Sequence, residues 1–539
     1  MARQDFPRII FTDDAWILNS DPPVTQADLR DKVVAGYAGT GGALWWSTGD
    51  HEIYHFETRV GEIFGAEQPC LEGLDDLYSF VHSAGADDAY PKIAANVRSL
   101  IEECGGPLTT LLRLCRERGI PFFPRVRMNS HYVIDPRHPG YGNYRRRHPD
   151  RLIARPGERF AEGTIEHGIG TGLDYAHPGN RAFVTRIICE CFERFDVDGV
   201  ELDFMRHPAF FRIEEGYANR HYMTGLVREV RARMQAASAD RGRRLLLGVR
   251  VPPTIADCNR VGLDVVRWLE EGLVDIVVVG GGFISFETPV DEFVAAAAGT
   301  EAMVYGCIEA TRDSDDRKLR ALALRWLEDG AHGVYLYNFF TRSPEWNRRI
   351  ASELTGLEKL RRLDKRYELE TTGSAYGSSG HSSAFALAQS QTQLPVRLQP
   401  NYDGEGPVLR LAIADDLDAA REAGELGPCR LTLRFDALEE SDSLSVRVNG
   451  RDLDWSGAEV SYDGWEELTA ASLFWLSYPA EPVERHMEGS SVSYAVAAPP
   501  LRQGENEIEV RLLSETRAPE RHVSLTGVEI DLTFRRRKR

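Results

Sequence analysis

The chain has 539 residues, 42% hydrophobic and 27% charged, an ordinary globular composition that is too long for one core and predicts two or three domains. A formal net charge of -19 excludes a general nucleic-acid binder, which needs a basic face for phosphate. No stretch approaches the twenty apolar residues that cross a bilayer, so no membrane span is expected.

From Pro7 onward, strand and helix patterns alternate. Residues 8–12 form a short apolar strand that runs into Asp13, Asp14 and Trp16. Thr25 caps a helix over 26–37, and the glycines from Gly39 to Gly42 end it. A second strand over 42–47 carries Trp45 and Trp46. One long helix is expected over 89–118, then a third strand over 121–129 whose alternation places Arg125, Arg127 and Asn129 on one side.

A helix over 181–195 leads into Asp198-Gly199-Val200-Glu201-Leu202-Asp203-Phe204-Met205-Arg206-His207-Pro208. This is a buried strand followed by a polar turn, and period-2 alternation points Glu201 and Asp203 to the same side. Helical patterns over 217–239, 263–271 and 316–329 separate four more strands, at 244–251, 275–282, 302–309 and 333–338. These end in Arg250, a glycine run, Glu309, and Tyr337 with Asn338.

Eight near-continuous apolar strands alternating with helices predict a (β/α)8 barrel over 1–365, with a doubly wound open sheet as the competing fold. The even strand count and the lack of a glycine-rich phosphate turn after the first strand favour the barrel. Residues 366–385 read as a linker or mobile loop because 371–383 are rich in Gly, Ser and Thr. From 386 to 539, short alternating strands with turn signals predict an antiparallel β-sandwich, in which Trp455, Trp465 and Trp475 pack or bind glycan.

Eight cysteines without CxxC spacing read as reduced thiols, and the basic run Arg535–Arg539 as a solvated tail. The N-terminus lacks the apolar core of a secretory signal and suggests a cytoplasmic protein, although a removed signal would leave the same appearance.

The run Leu173-Asp174-Tyr175-Ala176-His177-Pro178-Gly179-Asn180-Arg181, with Asp198, Gly199, Val200, Leu202, Asp203, Phe204, Arg206 and Pro208, resembles the family-10-like glycosyl-hydrolase barrels related to α-amylases. The resemblance covers the fourth βα unit well and implies a barrel glycosidase acting on an oligo- or polysaccharide. Asp203 also stands where the α-amylase pattern D-G-x-R-x-D has its nucleophile, but Glu201 replaces the arginine of that pattern. Residues 446–450 and 501–508 resemble the galactose-binding-like sandwiches appended to many glycosidases.

Glycoside cleavage needs two carboxyl groups flanking the bond. Asp203, Glu309 and Glu201 are the expected catalytic carboxyls, with Glu201 either an acid catalyst or the ion-pair partner of an arginine. Asp13, Asp14, Trp16, Trp45, Trp46, Asn129, His207, Tyr337 and Asn338 are candidates for holding the sugar, and Tyr335 sits at the same strand end. Arg125, Arg127, Arg206 and Arg250 either neutralise the carboxyls or receive an anionic glycan. Asp13, Asp14, His51 and His207 have no metal-ligand spacing, so no metal and no cofactor are expected. The expected partner is a carbohydrate substrate, and self-association stays open. A non-catalytic carbohydrate-binding barrel and a barrel hydrolase or lyase acting on a carboxylate substrate are the alternatives.

Overall fold

In the computed structural model, the described residues are 6–49, 52–65, 89–129, 136, 140–158, 160, 168–205, 208–212, 214–281, 285–309, 315–339, 342–370, 392–401, 404–469, 483–514 and 522–535. Eight parallel strands close into a barrel: β1 (Ile9–Asp13), β2 (Ala43–Ser47), β3 (Phe122–Arg127), β4 (Gly199–Asp203), β5 (Leu246–Val251), β6 (Ile276–Val279), β7 (Met303–Glu309) and β8 (Gly333–Tyr337). Each pairs with its neighbours in chain order. The ring is sealed where Ile10 of β1 lies opposite Tyr335 of β8. The barrel is therefore closed, and the open-sheet alternative is set aside.

Alternation divides each strand between two cores. Phe11, Leu44, Trp46, Val126, Val200, Leu202, Val249, Val277, Ile308 and Leu336 pack outward beneath the helices. Ile10, Trp45, Phe123, Leu246, Ile276, Val278, Tyr305 and Tyr335 fill the interior. Close approach explains Gly199. A Cβ there would stand 2.2 Å from the Leu246 carbonyl oxygen and 2.2 Å from the Phe123 ring.

Thr25 caps its helix through a reciprocal box with Asp28, as expected, though the middle of that helix, Leu29–Val34, is wound as a π-helix. The helix expected over 89–118 is two, Ala89–Cys104 and Pro107–Glu117. Gly105 and Gly106 separate them with φ of +82° and +114°, and Pro107 begins the second, where its missing N–H costs nothing. The helix expected over 263–271 is likewise preceded by a separate short one, Ile255–Val261, ended by Gly262 at positive φ.

The C-terminal region begins earlier than the composition suggests. Strand β9 (Lys365–Glu370) pairs antiparallel with the last strand of the chain, β15 (Val523–Phe534), so 366–370 are sheet rather than linker. Residues 371–385 of that expected linker lie outside the described residues. One sheet joins β9, β15, β11 (Leu426–Phe435) and β13 (Ser490–Val496). The other joins β10 (Val408–Ile413), β14 (Gly504–Ser514) and β12 (Asp442–Val448). Their buried alternate residues, such as Leu431 and Leu433 against Ile508 and Val510, belong to one apolar core.

The seven described cysteines are free thiols, all buried except Cys104. Among the described residues, no helix is long and apolar enough to cross a membrane.

Candidate active site at the carboxyl end of the barrel

Glu201 and Asp203 take the inward positions of β4, and both are 0% exposed. Their surroundings differ. Asp203 lies directly opposite Arg250 of β5 and meets both ends of its guanidinium, Nε to Oδ1 at 2.9 Å and Nη2 to Oδ2 at 2.9 Å. Arg125 Nη1 stands 3.5 Å from Oδ2, and the Met205 N–H donates to Oδ1 at 3.0 Å. Glu201 sits one layer deeper. The Tyr335 hydroxyl donates toward its two oxygens at 2.8 and 3.0 Å, and Arg125 Nε is 3.9 Å from Oε2.

Burial pushes the Glu201 carboxyl up to about 8, and the Asp203 charge adds to that, with Arg125 and Arg250 only partly offsetting it. Burial also acts to raise Asp203, but Arg250 and then Arg125 outweigh it and hold that carboxyl down to about 2. At neutral pH Glu201 therefore keeps its proton and Asp203 does not.

Asp14, just past β1, is a second hub. It is bonded to Arg125 Nη2, to Arg127 Nη2 at 3.0 Å, to the Tyr337 hydroxyl at 3.0 Å and to Asn338 Nδ2 at 2.9 Å. Asn338 turns there with φ +62°. The guanidinium carbons of Arg125 and Arg250 lie 4.9 and 4.2 Å from the Tyr337 ring centre. Glu309, the last residue of β7, is buried opposite Tyr337 in the strand register. Burial raises the Cys307 thiol two residues earlier to about 12, with Arg250 opposing and the Glu309 charge adding.

Several expected sugar contacts lie elsewhere. Trp46 points outward into the core beneath the helices, because its parity is that of Phe11 and Leu44 in the sheet. Trp45 does face inward, but it is fully buried, stacked at 4.8 Å on Phe123 and edge-on at 5.5 Å to Tyr335. It is the floor beneath the charged layer rather than a platform at the mouth.

Asp13 accepts the Ala15 N–H at 2.8 Å and shapes the turn after β1. Asn129 ties loops together, donating to the Leu173 and Ala209 carbonyls at 3.1 and 2.7 Å and accepting the Leu173 N–H at 3.0 Å. Trp16 opens the short turn Trp16–Asn19 and is half-buried. Arg206, His207 and His51 lie outside the described residues, and among the described residues no group of three or more His, Cys, Asp or Glu is placed to hold a metal ion. Tyr335 reads in sequence as one more aromatic at the sugar-facing end, whereas in the fold its hydroxyl serves Glu201. The two residues share inward parity, but only closure of the barrel brings β8 to β4.

No protein-family model matches the sequence, and no curated protein matches it. Among solved structures, it is similar to a cycloisomaltooligosaccharide glucanotransferase of Paenibacillus sp., with 9% identity over 97% of this chain and 57% of that one, and a TM-score of 0.33. It is similar to an α-amylase of Geobacillus thermoleovorans at 12% identity over 96% of this chain and 100% of that one, TM-score 0.35. It is also similar to α-L-fucosidase isoenzyme 2 of Paenibacillus thiaminolyticus at 11% identity over 66% and 49%, TM-score 0.39. Likeness of this degree says nothing about the reaction.

Proposed function

We propose that the chain is a glycoside hydrolase that works at the carboxyl end of its barrel, with Asp203 as the ionised carboxylate and Glu309 as the second carboxyl. The observation that carries this reading is the split between two neighbouring carboxyls on β4, one held ionised by Arg250 and one kept protonated by burial. Asp203 lies at the carboxyl end of its strand, where barrel enzymes keep their chemistry. An ionised carboxylate there suits attack on an anomeric carbon, or activation of water beside it. Glu309, at the end of β7, would protonate the leaving oxygen. Glu201 lies too deep to reach the bond and would support Asp203 from below, through Arg125 and Tyr335. The cluster suits an uncharged sugar better than an anionic glycan, since the guanidiniums of Arg125, Arg127 and Arg250 already have carboxylate partners.

The test is a screen of aryl glycosides and polysaccharides with the wild type, Asp203→Asn and Glu309→Gln. Each variant should lose activity by about 10²–10⁴-fold on a cleaved substrate. Full activity in both would overturn the assignment. The anomer released, followed by NMR, decides whether Asp203 is a nucleophile (retention) or a base (inversion).

The mutual pairing of Asp203 and Arg250 favours a second reading, a barrel that binds carbohydrate without turnover. Glycan binding by calorimetry with no product after prolonged incubation would select it.

A further inference from the structure

Asp315, six positions after Glu309, caps the helix Asp316–Glu328 by accepting the Arg317 N–H at 2.8 Å. It also takes the Arg317 guanidinium, with Nη2 at 2.5 Å. The same guanidinium reaches out of the barrel, with Nη1 3.0 Å from Asp531 of β15. Asp531 in turn receives Nε and Nη2 of Arg366 of β9 at 2.9 and 2.8 Å. Arg366 reaches Glu529 at 3.4 Å, and Glu529 receives Nε of Arg434 of β11 at 2.8 Å.

The result is an alternating ladder of three acids and three arginines, from the cap of a barrel helix into the middle of a sandwich sheet. Its members are half-buried, with side chains 13–18% exposed except Arg317 at 37%, so salt screens them less than it would a surface pair. Burial alone would raise Glu529, yet Arg366 and Arg434 keep it below the usual carboxylate range.

Two further contacts lie on the same side. Lys318, one turn into the helix, meets Glu368 of β9 at 2.5 Å, and both are buried. In the turn Ser285–Glu287 after β6, the Glu287 carboxylate accepts the Gln393 N–H at 3.1 Å, and Phe286 packs on Tyr367 with ring centres 6.2 Å apart. The sandwich therefore contacts the turn Ser285–Glu287, which follows β6, and the helix Asp316–Glu328, which follows β7.

We infer that the C-terminal sandwich is a positioning part of the catalytic site, and that Asp531 and Arg366 act through Asp315 and Arg317 to set the end of β7 and with it Glu309. This rests on the reading of Glu309 as a catalytic carboxyl. The ladder binds no substrate. It holds the start of the helix Asp316–Glu328, and that helix packs on β7, where a Cβ on Gly306 would stand 2.2 Å from the Trp326 ring. A shift of the helix therefore reaches the strand that ends in Glu309, and a carboxyl displaced by an ångström loses most of its catalytic value.

The test uses the full chain with Asp531→Asn, Arg366→Met and the conservative Asp531→Glu. Amide hydrogen exchange in peptides covering 303–322 should rise about tenfold in the first two variants, while peptides covering β1 and β2 stay unchanged. On an aryl glycoside that the wild type cleaves, kcat should fall about tenfold with KM unmoved, and Asp531→Glu should restore it. Unchanged exchange at 303–322, an equal rise in all barrel strands, or altered exchange with an unaltered kcat would each overturn the inference. If the wild type cleaves no glycoside, the proposed function fails, and the exchange result alone decides whether the ladder holds the end of β7.

Discussion

Because burial raises the Glu201 carboxyl to about 8 from 4.5, the folded protein holds a proton there that the unfolded chain gives up across that interval. Stability must therefore fall as pH rises from about 4.5 to 8 and level off above, by at most about 1.4 kcal/mol per pH unit. Glu201→Gln keeps the neutral shape and removes the titration. Its guanidinium chloride midpoint should gain on the wild type between pH 5 and pH 9, and a constant difference would refute the titration. Asp203 has the opposite sign. Its carboxyl lies near 2 against 3.8, so its contribution is present above about pH 4 and is lost as pH falls through 2. Asp203→Asn strips the charge partner from Arg250 and should cost about 3–5 kcal/mol in chemical denaturation. Arg250→Met should cost a similar amount, and the double variant clearly less than their sum, the mark of one buried pair.

At the scale of single elements, contact and open space make the same substitution act in opposite directions. Gly199→Ala places a methyl group against the Leu246 backbone and the Phe123 ring, neither of which can withdraw from a closed barrel. The expected cost is about 1–3 kcal/mol. Gly225 lies within the helix Gly216–Arg241 with nothing within 4 Å of its Cβ position. Gly225→Ala should stabilise by about 0.4–1 kcal/mol, by restricting the unfolded chain. Urea midpoints of the two variants check both signs. The boundaries of strands and helices are readable to within a few residues, because apolar periodicity and capping residues are local. The break at Gly105–Gly106 is readable too, in two glycines followed by proline, yet the apolar pattern on either side suggests one continuous helix.

For the whole molecule, the barrel helices and the sandwich share one apolar core, in which Leu319 and Leu322 belong with Tyr367, Leu369, Val528 and Ile530. With the ion-pair ladder across the same boundary, calorimetry should show one unfolding transition, and Asp531→Asn should lower it without splitting it. Two resolved transitions would mean that the two parts unfold separately. The eight strands, their alternation, the inward pair Glu201 and Asp203, and the acid at the end of β7 are all legible in the chain, because they depend on period 2 and on neighbours in sequence. Trp46 is open to the same reading, since its parity already places it outside. The folded whole was needed to show which arginine answers which carboxylate, that Tyr335 reaches Glu201 from 134 positions away, that Asp14 joins the cluster, and that β9 belongs to the sandwich. Closure of the barrel and pairing of the first sandwich strand with the last join residues distant in sequence, and no local pattern records which of several equivalent charges will meet.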